Sequence, residues 1–133
     1  MTQRKITYAL NKIKVAKKAG FHIEALIRSY HLNVELLRYM MLIANPEHSA
    51  KDKKIKVLVK HFQQEISLHP ELKSIIHNKS LKSLTPWLVK MDQFFKAAKL
   101  SHFFETNALQ QETEKIFGIL NISANKLFVK QKA

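Results

Sequence analysis

Hydrophobic residues recur at three- and four-residue steps through most of the chain, most clearly in segment 20–43. One helical face of this segment is formed by Ile23, Leu26, Ile27, Tyr30, Val34, Leu37 and Met41, and the flank by Leu32, Leu36, Tyr39, Met40 and Ile43. A helix with so much apolar surface is expected at the centre of a bundle. The polar residues share one line, formed by Glu24, Arg28, His31, Glu35 and Arg38. We expect that line to face solvent, a cleft or a partner.

The same periodicity predicts helices along the rest of the chain. We predict a first helix over 2–19, the central helix ending before Asn45-Pro46, and further helices over 50–68, 70–77 and 106–129, with another that starts at the N-cap Thr85 followed by Pro86. No alternating pattern typical of strands occurs. The sequence therefore predicts an all-α fold, a bundle of five or six helices forming a single domain over 1–133.

Several positions carry more specific structural predictions. Gly20 is expected to end the first helix, and a capping box at Ser49 and Asp52 to open the third. The buried stripe of the first helix is predicted to be Ile6, Leu10, Ile13 and Ala16. Trp87 is expected to be buried against the central helix, and Gly118 predicts close packing at its level of the last helix.

The net charge of the chain is strongly positive, because 23 Lys and Arg against 10 Asp and Glu give +13. The excess is concentrated in segments 1–20 and 51–60. Such a field attracts polyanions, and nucleic acid is the commonest of these in a cell. The residues predicted to contact it are Lys14, Lys17, Lys18, Lys51, Lys53, Lys54 and Lys56. The alternative interpretation is a solvated, lysine-rich surface without a ligand.

Other classes of chemistry find no support in the sequence. The chain has no cysteine, and its seven histidines form no HExxH motif, so we expect neither a metal site nor a cofactor. No glycine-rich phosphate loop or nucleophile elbow occurs. No apolar run approaches the length of a membrane span, and no signal peptide is recognisable, so we expect a cytoplasmic protein without membrane contact.

The order of segments resembles a known family. A basic first helix, the pattern GFHIEALIRSYHLNVELL, a lysine-rich helix, a helix rich in Trp and Phe, and a final amphipathic helix are together similar to bacterial HEPN-like proteins. The resemblance implies a small helical bundle, often a homodimer. Many members of that family cleave or bind RNA and serve in toxin–antitoxin and defence systems.

The resemblance also indicates where catalysis would lie. The ribonuclease members carry an arginine followed by a polar residue, and a histidine shortly afterwards, so that the arginine holds the scissile phosphate while the histidine moves a proton. The nearest match here is Lys96 with His102, in which lysine replaces the arginine and Ala97 the polar residue. This departure favours a protein without catalytic activity.

Arg28 and His31 form a second candidate pair, because their three-residue offset places both on one helical face. The structural alternative is a ladder of ion pairs from Glu24 to Arg28 and from Glu35 to Arg38.

Three functional hypotheses remain open on the sequence alone. The first is a non-catalytic protein whose basic helices bind RNA or another polyanion. The second is a metal-independent ribonuclease of the toxin or defence type. The third is an interaction module that pairs with a nucleotidyltransferase-like or antitoxin partner. The spacing of the aromatic residues assigns nearly all of them to the core, with Phe103 and Phe104 as the exceptions.

Overall fold

The computed structural model describes residues 2–44, 54–68, 82–97 and 103–132. Within these ranges the chain forms five helices and no strand: α1 Gln3–Lys18, α2 His22–Ala44, α3 Ile55–Leu68, α4 Leu84–Ala97 and α5 Phe103–Lys132. The all-α class predicted from the sequence is therefore confirmed. The helix predicted over 70–77 and the capping box at Ser49 and Asp52 lie outside the described residues.

Both ends of α1 follow from local sequence signals. The Oγ1 of Thr2 accepts a hydrogen bond from the backbone N–H of Lys5 at 3.3 Å, which caps the first turn. At the other end Gly20 adopts a positive φ of 82°, which costs an L-residue energy but not glycine. The N–H of Gly20 then donates to the carbonyl of Lys17, and that of Phe21 to the carbonyl of Ala16. This pair of bonds is a Schellman motif and confirms the predicted stop.

The start of α4 differs from the prediction. The helix begins at Leu84, and the N–H of Trp87 donates to the carbonyl of Ser83 at 3.3 Å. Thr85 is therefore inside the helix, and the prediction that it is the N-cap was wrong. Pro86 still lies in the first turn, where its missing N–H would have had no acceptor within the helix. The last helix is also longer than predicted, since it begins at Phe103 and ends at Lys132.

α2 is the central helix of the described part, as the apolar pattern predicted. It packs against α1, α3 and α5, while α4 packs against α3 and α5. The fully buried side chains at the centre of the core are Leu26, Leu36, Leu37, Met40, Met41, Leu58, Phe62, Ile66, Leu84, Trp87 and Met91. In the described residues, no helix combines the length and the hydrophobicity needed to cross a bilayer.

Two residues of the apolar stripes predicted for α1 and α2 are exposed. Leu10 is 39% exposed, because it lies at the edge of the α1 stripe over a shallow cavity shared with Ser29 and Glu114. Ile23 is 37% exposed in the first turn of α2, next to the connection from α1.

A buried polar network fixes α2, α4 and α5 relative to one another. The Nδ2 of Asn33 donates to the carbonyl of Thr113 at 3.1 Å, and the Nε2 of Gln110 donates to the Oγ of Ser29 at 2.9 Å. The indole N–H of Trp87 donates to the Oγ1 of Thr113. Buried polar groups are costly unless paired, so these bonds favour one register of the helices.

Gly118 does not mark a close helix contact. No described heavy atom lies within 4 Å of a Cβ placed on this residue. The prediction of tight packing at this position was therefore wrong, and the site has room for a methyl group.

Candidate functional site

The basic residues of α1 are presented to solvent because of how this helix is buried. Its stripe of Ile6, Ile13 and Ala16 packs inward, and its basic residues lie outside that stripe. All of them are exposed: Arg4, Lys5, Lys12, Lys14, Lys17 and Lys18. The helix contains no acidic residue. We call these six residues, together with Tyr8 and Val15 between them, the α1 surface.

Only one cation of the α1 surface has an acidic partner among the described residues. Lys17 Nζ lies 2.7 Å from Glu114 Oε1 of α5, and each side chain is more than 40% exposed. An exposed pair of this kind contributes about 0–1 kcal/mol, so it tethers α1 to α5 weakly. The other five cations keep their charge available to an external anion.

The α1 surface also carries two apolar side chains that sequence reasoning did not single out. Tyr8 is 64% exposed and Val15 is 65% exposed. The ammonium of Lys12 lies 5.4 Å from the centroid of the Tyr8 ring, within the range of a cation–π contact. Tyr8 follows the buried Ile6 by two positions, about 200° around the helix, and this offset was the signal that it leaves the core stripe.

The predicted basic residues of α3 are only partly within the described chain. Lys54 is exposed at the start of α3, where its carbonyl accepts from the N–H of Leu58. Lys56 forms an ion pair with Asp92 of α4. Lys51 and Lys53 lie outside the described residues. α1 and α3 both pack against α2 and make little contact with each other.

The two residues of the second candidate pair, Arg28 and His31, contact different side chains. The Nε and Nη2 of Arg28 lie 3.1 Å and 3.0 Å from Glu24 Oε1, as expected for the first rung of the predicted ion-pair ladder. The second predicted ion pair, between Glu35 and Arg38, is not present among the described residues. The Nε of Arg38 is buried without a hydrogen-bond partner. His31 is exposed and packs edge-on against Tyr30, with 5.6 Å between the ring centroids.

Tyr30 is the centre of an aromatic cluster between α2 and α4. Its ring centroid lies 5.1 Å from that of Phe95 and 5.8 Å from that of Trp87. Partial burial, followed by the negative charge of Asp92, raises the pKa of the Tyr30 hydroxyl above its usual value. At neutral pH the hydroxyl is therefore protonated and unsuited to act as a base.

Lys96 directly follows Phe95 of this cluster on α4. It is exposed, and its charge helps to lower the pKa of Asp92, an effect due mainly to the hydrogen bond from Lys56. Its predicted partner His102 lies outside the described residues. In the part of the chain that is described, no three His, Asp or Glu side chains are grouped so that they could hold a metal ion.

Comparison with protein-family models, curated proteins and solved structures finds no match to this chain.

Proposed function

We propose that this protein binds RNA through the α1 surface without cleaving it. The observation that supports this most directly is the set of five exposed cations on α1, which no described acidic side chain neutralises. Exposed cationic side chains contact phosphates, and the release of condensed counterions drives such binding. The likeness of the sequence pattern to HEPN-like proteins favours RNA over other polyanions.

The absence of cleavage is the second part of the proposal. A phosphate-holding arginine has to present its guanidinium to the substrate, whereas Arg28 directs two nitrogens at Glu24. Lys96 carries a single ammonium group, whereas the planar guanidinium group of an arginine binds a phosphate through two parallel hydrogen bonds. We therefore place binding ahead of the ribonuclease hypothesis.

The test measures binding of a fluorescent RNA oligonucleotide across a range of salt concentrations. The α1 variant replaces Lys5, Lys14 and Lys18 by glutamine and leaves Lys17, whose ion pair with Glu114 tethers the helix. If all three residues contact phosphates, the slope of log Kobs against log[salt] should fall by about 2, at ~0.7 per contact with a single strand. Affinity should fall for all RNA sequences alike.

Two further variants with the same change in net charge locate the surface. The first replaces Lys82, Lys115 and Lys126, which are exposed and have no acidic partner in the described chain. The second replaces Lys51, Lys53 and Lys54 and measures the contribution predicted for the third helix. Equal weakening by the α1 and the Lys82 variants would mean that only net charge matters, and would overturn the assignment to α1.

A wild-type protein that does not bind RNA at near-physiological salt would overturn the function itself. The interaction-module hypothesis, with an acidic protein as the partner, would then take its place.

A further inference from the structure

The exposure of Tyr8 is not explained by folding. Nearly two thirds of this large aromatic side chain is exposed on the outward face of α1. The core aromatics behave differently, since Trp87 and Phe62 are fully buried. Tyr8 contributes little to the core, so a contact outside the fold is the simplest use for its ring.

Cations flank the Tyr8 ring along the helix. Arg4 precedes it by four residues and Lys12 follows it by four, so all three share one face. The Lys12 ammonium already lies 5.4 Å from the ring centroid. The face therefore combines one π surface with a positive charge on either side of it.

We propose that Tyr8 stacks on an unpaired base of single-stranded RNA while Arg4 and Lys12 contact the neighbouring phosphates. This proposal rests on the RNA-binding function proposed above and specifies the substrate class. A stacking platform within a positive surface is the usual way in which proteins bind single strands without reading their sequence. The bases of a duplex are stacked on one another and are not accessible to an exposed ring.

Other occupants fit this face less well. A helix that binds in a membrane interface needs a continuous apolar face, whereas Lys12 lies between Tyr8 and Val15 on α1. A polyphosphate or another polyanion without bases would use the cations but not the ring. The charge and the aromatic group together match a polymer that carries both phosphates and planar bases.

The test compares three probes of similar length: a single-stranded RNA, a duplex RNA and an inorganic polyphosphate. Wild-type protein should prefer the single strand to the duplex. Tyr8→Ala should weaken binding of the single strand by roughly ten-fold, as expected for the loss of one stacked base. Its affinity for polyphosphate should not change, and Tyr8→Phe should retain the affinity of the wild type for the single strand. Ile122→Ala, at a similarly exposed apolar position on α5, is the matched control and should have little effect.

The outcomes separate this inference from the proposed function. If the wild type binds RNA and the α1 lysine variant does not, but Tyr8→Ala binds the single strand as well as the wild type, the stacking inference is wrong and the function stands. Equal losses for RNA and polyphosphate would also overturn stacking. Two further results would show that Tyr8 binds something other than RNA. One is binding to phosphatidylserine vesicles that Tyr8→Ala alone abolishes, and the other is a concentration-dependent dimer that the same change dissociates.

Discussion

The indole nitrogen of Trp87 donates a hydrogen bond to the hydroxyl of Thr113 at 2.8 Å, joining α4 to α5 inside the core. Thr113 Oγ1 in turn donates to the carbonyl of Leu109 one turn earlier, at 2.7 Å. Both Trp87 and Thr113 are fully buried. The hydroxyl thus satisfies a buried donor that has no access to water.

Thr113→Val should lower the free energy of unfolding by about 1–3 kcal/mol, because it leaves the indole N–H buried without an acceptor. Urea unfolding followed by circular dichroism measures the change. Ser123→Ala is the control, since Ser123 Oγ donates only to the carbonyl of Ile119 within its own helix. Equal destabilisation by both changes would show that the bond between α4 and α5 has no special role.

Trp87→Ala should cost about 3–5 kcal/mol, the range expected when a large aromatic is removed from a core. The ring packs against Tyr30 of α2, so the change also leaves a cavity between the two helices. Trp87→Phe fills part of this space and should be less destabilising. A loss below 1 kcal/mol for the alanine variant would contradict the burial of Trp87.

Gly118→Ala should stabilise the protein by up to about 1 kcal/mol, because alanine is the better helix former and the added methyl group meets no described atom. The same change at Gly20 should have the opposite sign, since its positive φ of 82° costs an L-residue about 1–2 kcal/mol. Thermal unfolding of the two variants provides a matched comparison. Destabilisation by Gly118→Ala would show that this position packs against a neighbour after all.

Lys56→Met should raise the pKa of Asp92, because the hydrogen bond from Lys56 is the main cause that holds this pKa below its usual value. A carboxyl group with a lowered folded pKa contributes stability above its unfolded pKa and loses it as the pH falls through the folded value. The stability difference between wild type and variant should therefore be present above about pH 4 and shrink in stronger acid.

A carbon-detected NMR titration of the Asp92 carboxyl group measures the pKa directly. Lys60→Met on the same helix removes the same charge from a residue without an acidic partner in the described chain. An Asp92 pKa that responds equally to both changes would indicate a general charge effect instead of the Lys56 contact.

Purified protein should not cleave RNA, with or without a divalent metal, because Lys96 replaces the arginine in one candidate pair. In the other pair Arg28 is followed by the polar Ser29, but its guanidinium is held by Glu24. Gel analysis of a labelled RNA after long incubation tests this expectation, with His31→Ala and His102→Ala as the diagnostic variants. If the wild-type protein cleaves RNA and a correctly folded His102→Ala variant does not, the ribonuclease hypothesis becomes the preferred one.

The helical class, the central position of α2 and the burial of Ile6, Ile13 and Ala16 on α1 were predictable from the sequence. These features depend on periodicity and on short-range signals such as Thr2 and Gly20, which act within a few residues of the chain. Four residues of the polar line of α2, Glu24, Arg28, His31 and Glu35, are exposed as their spacing predicted. The fifth, Arg38, is only partly exposed, and its Nε is buried.

Which helical faces meet and which charges remain unpaired depends on long-range packing, which the sequence pattern does not reveal. Periodicity defines the inward side of a helix but not the neighbour it packs against. The ion pair of Lys17 with Glu114 joins residues 97 positions apart, and that of Lys56 with Asp92 joins α3 to α4. The offset of Tyr8 from Ile6 indicates that its ring leaves the core stripe, but only the packing shows that none of the described helices covers the outward face of α1.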